Sequence, residues 1–163
     1  MDYLVNLYSR RLDALGARVN SVPATIRVAL PPELHLIQHW VGAEFSQYWV
    51  SEVTIAMAHK PPRCLIAIID GQLVGFACHD ATARGFFGPT GVSPAHRGKG
   101  IGQALLFHAL MAMKARGYAY AVIGAVGPGA FYEKAVGAVP IASDGEDIYK
   151  GLLRIRPQPE PER

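Results

Sequence analysis

The chain has 163 residues, half of them apolar, and a formal net charge of +3 at pH 7. That length fits one domain with an ample core and leaves little room for a second. Its Lys and Arg residues are scattered rather than gathered in a stripe, which argues against a nucleic-acid surface and suits a small polyanionic ligand.

No apolar run approaches the ~20 residues that span a bilayer. The opening MDYLVNLYSRRLDAL lacks the basic-then-apolar order of a secretory leader. The expectation is a cytoplasmic protein with no membrane partner. Cys64 and Cys78 lie within the apolar runs CLIAII and VGFAC. They read as buried free thiols, and no Cys/His grouping has zinc spacing, so no metal is expected.

Residues 2–20 admit a short strand over Leu4–Tyr8 and a helix over Arg10–Val19. Ile26, Val28 and Leu30 alternate as a strand does, and Pro31-Pro32 ends it. From Glu33 to Ala58 the pattern is helical in two pieces, with Leu34, Ile37, Val41 and Phe45 as the apolar stripe. Lys60-Pro61-Pro62 breaks it. CLIAII and QLVGFAC then flank Asp70-Gly71, the favoured pair for a two-residue type I′ hairpin. A third antiparallel strand follows over Phe86–Val92. Residues 100–116, GIGQALLFHALMAMKAR, form the strongest helix and are apolar on most sides, as a helix buried against a sheet is. Lys114 and Arg116 suit its C-terminal dipole, and Gly117 suits the position after its end. AYAVIGAV reads as a buried strand. Gly127-Pro128 opens a short helix that Gly137 closes. A last strand is expected over Ile148–Leu153. The alternating prolines of PQPEPER preclude regular structure from Pro157 to Arg163. The expected fold class is α/β (α+β): a central mixed sheet with helices on both faces, in one domain over 1–156 with a disordered tail at 157–163.

The most informative segment is GVSPAHRGKGIGQALL, from Gly91 to Leu106. A strand ends near Val92, a short loop follows, and the long helix begins. Gly98, Gly100 and Gly102 occupy the junction. Alternate glycines at a helix start let backbone N–H groups approach a ligand closely. Those N–H groups lack intrahelical partners, and the dipole adds positive charge, so phosphate is the natural ligand. Arg97 and Lys99 reinforce the charge. A dinucleotide fingerprint fails because Gln103 stands three residues after Gly100. A Walker A loop fails because Lys99 is followed by Gly100.

Arg97-x-x-Gly100-x-Gly102 resembles the R/Q-x-x-G-x-G/A signature of the GNAT superfamily of acyl-CoA N-acyltransferases. The order of elements from Ile26 to Leu153 is similar to that family's, and Phe131-Tyr132-Glu133-Lys134 with Gly137-Ala138 resembles its FYEK-x-G segment. The resemblance implies a GNAT-like fold and an N-acetyltransferase that moves an acetyl group from acetyl-CoA, as co-substrate, to a primary amine of a small molecule or peptide. It assigns the pyrophosphate to the loop Arg97, Gly98, Lys99, Gly100, Ile101, Gly102 and the pantetheine arm to the strand end at Val92. Tyr132 is implied as the general acid that protonates the departing thiolate, a transfer expected to be modestly downhill or level. Neither cysteine lies in either motif, so direct attack without a covalent enzyme intermediate is expected. Glu44, Glu52, His79 and Asp80, or a water held by one of them, are the candidates for the base, and His96 borders the loop. The segment His79–Gly91, with its two phenylalanines, reads as pocket lining. Alternatives on the same fold are a non-catalytic acyl-CoA-binding or regulatory module and a protein or peptide acetyltransferase. A homodimer is left open.

Overall fold

A computed structural model describes residues 1–155; the tail expected at 157–163, and residue 156 before it, lie outside the described residues. The strands are β1 (Tyr3–Asn6), β2 (Thr25–Val28), β3 (Cys64–Ile69), β4 (Gln72–His79), β5 (Phe86–Val92), β6 (Tyr120–Ile123) and β7 (Val139–Pro140). The helices are α1 (Arg10–Val19), α2 (Leu34–Glu44), α3 (Gln47–Met57), α4 (Ile101–Ala115) and α5 (Gly129–Val136). The strands form one mixed sheet in the order β2-β3-β4-β5-β6-β1-β7. All pairings are antiparallel except β5 with β6.

Local chemistry accounts for most boundaries. The Ser9 side chain caps α1 by accepting from the Arg11 N–H, and Ser46 caps α3 by accepting from the Trp49 N–H. Asp70 and Gly71 have φ of 50° and 72°, the positive pair that a type I′ turn demands. Cys64 and Cys78 are cross-strand partners in that hairpin, both free and buried.

The sheet separates two cores. On one face, Leu65, Ala67 and Ala77 meet Leu12 and Leu15 of α1 and Leu105, Leu106, Leu110 and Met113 of α4. On the other, Cys64, Ile66, Phe76 and Cys78 meet Ile37 and Val41 of α2 and Val53 of α3. Successive strand residues therefore face opposite helix layers. Helix α4 buries seven residues, each large one contributing roughly 1.5–3 kcal/mol. That burial holds the N-terminus of α4 rigidly against the end of β5.

The last strand expected over Ile148–Leu153 does not form. Asp147 accepts at its side chain from the Tyr149 N–H and at its carbonyl from the Lys150 N–H, and Tyr149 accepts from Leu152, so the segment folds as successive turns. The N-terminal strand β1 fills the sheet position instead, between β6 and β7.

Candidate active site

Strands β5 and β6 pair only at Phe86 with Val122 and Phe87 with Ile123. Beyond that point β5 runs on to Val92 along β4, while β6 ends at Ile123. The strands part, and the β5 edge from Gly88 onward faces an opening rather than a strand. Two cavities occupy the wedge.

The first has a volume of about 820 Å³ and runs from the parted strands to the start of α4. Its walls include Val92, Arg97, Gly98, Gly100, Ile101 and Gly102, so the predicted loop and strand end are brought together. Lys99 is exposed and stands outside this wall. Gly98 and Gly100 have φ of 78° and 79°, the left-handed region that favours glycine. Gly100 is the N-cap of α4, which leaves the first N–H groups of the helix pointing into the loop. The Arg97 Nε donates to the Val92 carbonyl at 3.1 Å and ties the loop to the strand. The Ser93 hydroxyl lies 2.7 Å from Nδ1 of His96 and fixes the intervening turn.

The second cavity, about 930 Å³, lies on the other side of the parting strands. Trp49, Phe87, Thr90, Pro128 and Tyr132 line both cavities, so the two meet at these residues. Tyr132 stands between Phe131 and Phe87, with ring centroids 5.0 and 6.2 Å away. Its helix starts directly after Pro128 and closes at Gly137, whose φ is 67°. Arg11 of α1 donates to the Glu133 carbonyl at 3.0 Å and steadies the end of that helix. Burial raises the Tyr132 pKa to about 12, so the phenol keeps its proton across the physiological range.

Of the four residues considered for the base, only Glu52 borders either of these two cavities. It accepts a hydrogen bond from the Thr82 hydroxyl on the wall of the second cavity. Glu44 is exposed at the end of α2. His79 and Asp80 are buried in a separate network. The Asp80 carboxylate accepts from the Gly85 N–H at 2.8 Å and the Tyr118 hydroxyl at 2.7 Å, and it lies 3.1 Å from His79 Nδ1 and 3.3 Å from Arg63. Burial pushes the Asp80 carboxyl up, but the hydrogen bonds from Gly85, Tyr118 and His79 outweigh it and hold it below the ordinary range. Burial lowers His79 against the pull of Asp80, which disfavours its charged form.

Sequence reasoning missed Trp49, Phe131 and Tyr149 as wall residues. Trp49 belongs to an apolar helical stretch that reads as core, and Tyr149 falls in the segment expected to be a strand. The phenylalanine-rich stretch after His79 does line a cavity, through Thr82, Phe86, Phe87 and Thr90. Among the described residues, no group of three or more His, Cys, Asp or Glu side chains could hold a metal ion.

Similar folds occur among solved structures. The glucosamine N-acetyltransferase region of a fungal multidomain β-N-acetylglucosaminidase aligns over 83% of this chain and 19% of that one, with 17% identity and a TM-score of 0.66. A GCN5-related N-acetyltransferase from Sphaerobacter thermophilus aligns over 85% of this chain and 47% of that one, with 22% identity and a TM-score of 0.60. A functionally unknown conserved protein from Staphylococcus epidermidis aligns over 85% and 56%, with 16% identity and a TM-score of 0.55. The chain thus spans between about a fifth and just over half of these proteins, and the likeness is one of fold. No curated protein matches the chain. The profile of the acetyltransferase (GNAT) family matches residues 32–138, from the turn before α2 through α4 and Tyr132 to the end of α5, and the chain belongs to that family.

Proposed function

We propose that this protein transfers an acetyl group from acetyl-CoA to a primary amine, with the two substrates entering from the two cavities and reacting where they meet. The observation that carries this reading is the shared wall: Tyr132, Phe87 and Thr90 border both the cavity that ends at the α4 loop and the one that holds Glu52. Each volume lies in the ordinary range for small-molecule sites, about 300–1,000 Å³.

In this reading the pyrophosphate of acetyl-CoA lies against the N–H groups at the start of α4, beside Arg97. The pantetheine arm follows the unpaired edge of β5, whose N–H groups polarise the thioester carbonyl. The amine, neutral after its ammonium has given a proton to water or to a base, bonds through its nitrogen to the carbonyl carbon. The C–S bond then breaks, and the sulfur leaves with the bonding electron pair. As the sulfur leaves, Tyr132 gives it a proton, and in the same step the nitrogen passes its surplus proton to the phenol oxygen, directly or through water. The products are an amide and free CoA, and the tyrosine is restored.

The raised pKa of Tyr132 changes the expected energetics. Against a thiol with an ordinary pKa of about 8.5, complete transfer is uphill by about 5 kcal/mol. The apolar walls that raise the phenol also destabilise a thiolate beside it, which narrows that gap. Transfer concerted with C–S cleavage suits this pair better than a free tyrosinate.

The test combines binding with turnover. Acetyl-CoA at ~100 times its dissociation constant adds about 2.7 kcal/mol, or roughly 5–10 °C in melting temperature. A shift of that size, together with amine-dependent release of free CoA thiol, is expected. A shift without turnover for any amine in a broad panel reduces the protein to an acyl-CoA-binding module. No shift at millimolar acetyl-CoA removes the reading altogether.

A further inference from the structure

The chemistry of the second cavity narrows the acceptor, and the inference rests on the acetyl-transfer reading above. Its walls are largely aromatic and aliphatic, with Trp49, Phe86, Phe87, Ile123, Ile148 and Leu152 among them. Among the described residues it contains a single carboxylate, Glu52, and no Lys, Arg or His. Glu52 is half-buried and already accepts from Thr82. The Tyr149 phenol stands beside Thr82 and within the field of Glu52: burial raises its pKa, the Glu52 charge adds to that, and Thr82 acts the other way. Tyr149, Ile148 and Leu152 all come from the turns after β7, and this strap is tied down where the Tyr48 hydroxyl donates to the Leu153 carbonyl at 2.9 Å.

We propose that the second cavity selects a singly charged primary amine carried on an aromatic or branched apolar body, with Glu52 as its counter-ion and Thr82 and Tyr149 framing the carboxylate. One negative charge among aromatic walls balances one ammonium, and the aromatic rings of Trp49 and Tyr149 on the wall favour a cation further. A second ammonium would find no further carboxylate among the described wall residues, since Asp2 and Asp147 act on Tyr149 only through their fields, which disfavours polyamines. An acidic amine would set its carboxylate against Glu52 with no cation among the described wall residues to receive it. An amino sugar could pair some of its hydroxyls with Ser46, Ser51, Thr82 and Thr90 but would set the rest against the aromatic rings. Glu52 determines specificity here whether or not it also takes the proton.

The test uses the full-length protein saturated with CoA and titrated with β-phenethylamine and its neutral isostere phenethyl alcohol. The amine is expected to bind at least about tenfold more tightly, the scale of one charge-assisted hydrogen bond. In Glu52→Gln that ratio should collapse towards one, whereas a purely structural role would weaken both ligands alike. Tyr149→Phe should lower the ratio partway, which keeps the test informative if Glu52→Gln folds poorly. With acetyl-CoA, kcat/KM for phenethylamine should exceed that for spermidine, glucosamine and glutamate by about tenfold or more. Phenethylamine binding with the expected ratio but no acetylation of any amine would defeat the catalytic reading and leave this one standing. Equal binding of amine and alcohol, or preferred turnover of spermidine, glucosamine or glutamate, would overturn it, as would preferred acetylation of a peptide amine.

Discussion

Gly91 of β5 lies directly beneath the ring of Phe45, so close that a β-carbon at 91 would overlap it. Phe45 cannot easily yield, because Trp40, Trp49 and Phe76 surround it at centroid distances of 5.5, 4.9 and 5.9 Å. Phe45, Trp49 and Gly91 also line the first cavity, so this contact forms part of its wall. Gly91→Ala should destabilise the fold by about 1–3 kcal/mol through overpacking and raise KM for acetyl-CoA. Phe45→Leu in the same chain should recover part of the loss. Denaturant titrations of the two single variants and the double variant check this, and strict additivity would mean that the contact carries no energy.

The glycines of the α4 loop should separate into two kinds. Gly100 has φ of 79°, and a β-carbon there would come within 3.3 Å of Val22, so Gly100→Ala should cost about 1–2 kcal/mol of stability. Gly102 is not in the left-handed region, and its nearest neighbour would be Val92 at 3.8 Å. Gly102→Val should therefore fold normally yet lose CoA affinity, since its side chain occupies the space beside the helix N-terminus. Calorimetric titration of the folded variant is decisive. Wild-type affinity would mean that the phosphates lie elsewhere.

Tyr132→Phe removes one hydroxyl and leaves the ring between Phe131 and Phe87. Fold and CoA affinity should survive while kcat falls at least about tenfold, at the lower end of what a positioned acid contributes. With its pKa near 12, the phenol should impose no alkaline decline in wild-type kcat below about pH 11. Turnover of the variant at the wild-type rate would make Tyr132 a packing residue.

The buried pair His79 and Asp80 should make the fold acid-sensitive. Both have folded-state pKa values below their ordinary ones, so the unfolded chain binds more protons in each window. For His79, stability is present above its ordinary pKa of about 6.5 and is lost as pH falls from there towards the depressed value. For Asp80 the loss comes lower, beginning near pH 4. Melting temperature should fall on acidification from pH 8 to 5, and His79→Gln should flatten that slope. Asp80→Ala strands Arg63 and His79 and should cost about 3–5 kcal/mol at neutral pH. A melting temperature independent of pH between 5 and 8 would contradict the account of His79.

Much of this was legible in the chain because its signals are local. Asp70-Gly71 marks its hairpin through the φ values it tolerates. Gly98, Gly100 and Gly102 mark a helix start that leaves backbone N–H groups free, and the apolar surround of α4 marks its burial. The Ile148–Leu153 segment misled because apolar residues such as Ile148, Leu152 and Leu153 serve equally on a strand and on turns that cover a cavity. There the Asp147 side chain competes with the ladder for backbone N–H groups, and the sheet position had already been filled by β1, a pairing across more than a hundred residues. His79 and Asp80 looked like site residues because they follow a strand beside the site. Their burial depends on Arg63 and Tyr118, which lie distant in the chain.

Sequence by itself determined most of the elements, the glycine-rich start of α4 with its unpaired N–H groups and the entry at Pro128 to the helix that carries Tyr132. These follow from dihedral preference, periodicity and unpaired helix N–H groups, all of which operate within a few residues. Only the tertiary structure decided that β5 and β6 part after Phe87, that two cavities meet at Tyr132, and that Glu52 rather than Glu44, His79 or Asp80 faces one of them. Those are consequences of how the sheet twists and closes on helices far apart in the chain, and charge and side-chain chemistry acquire a direction only after that packing is set.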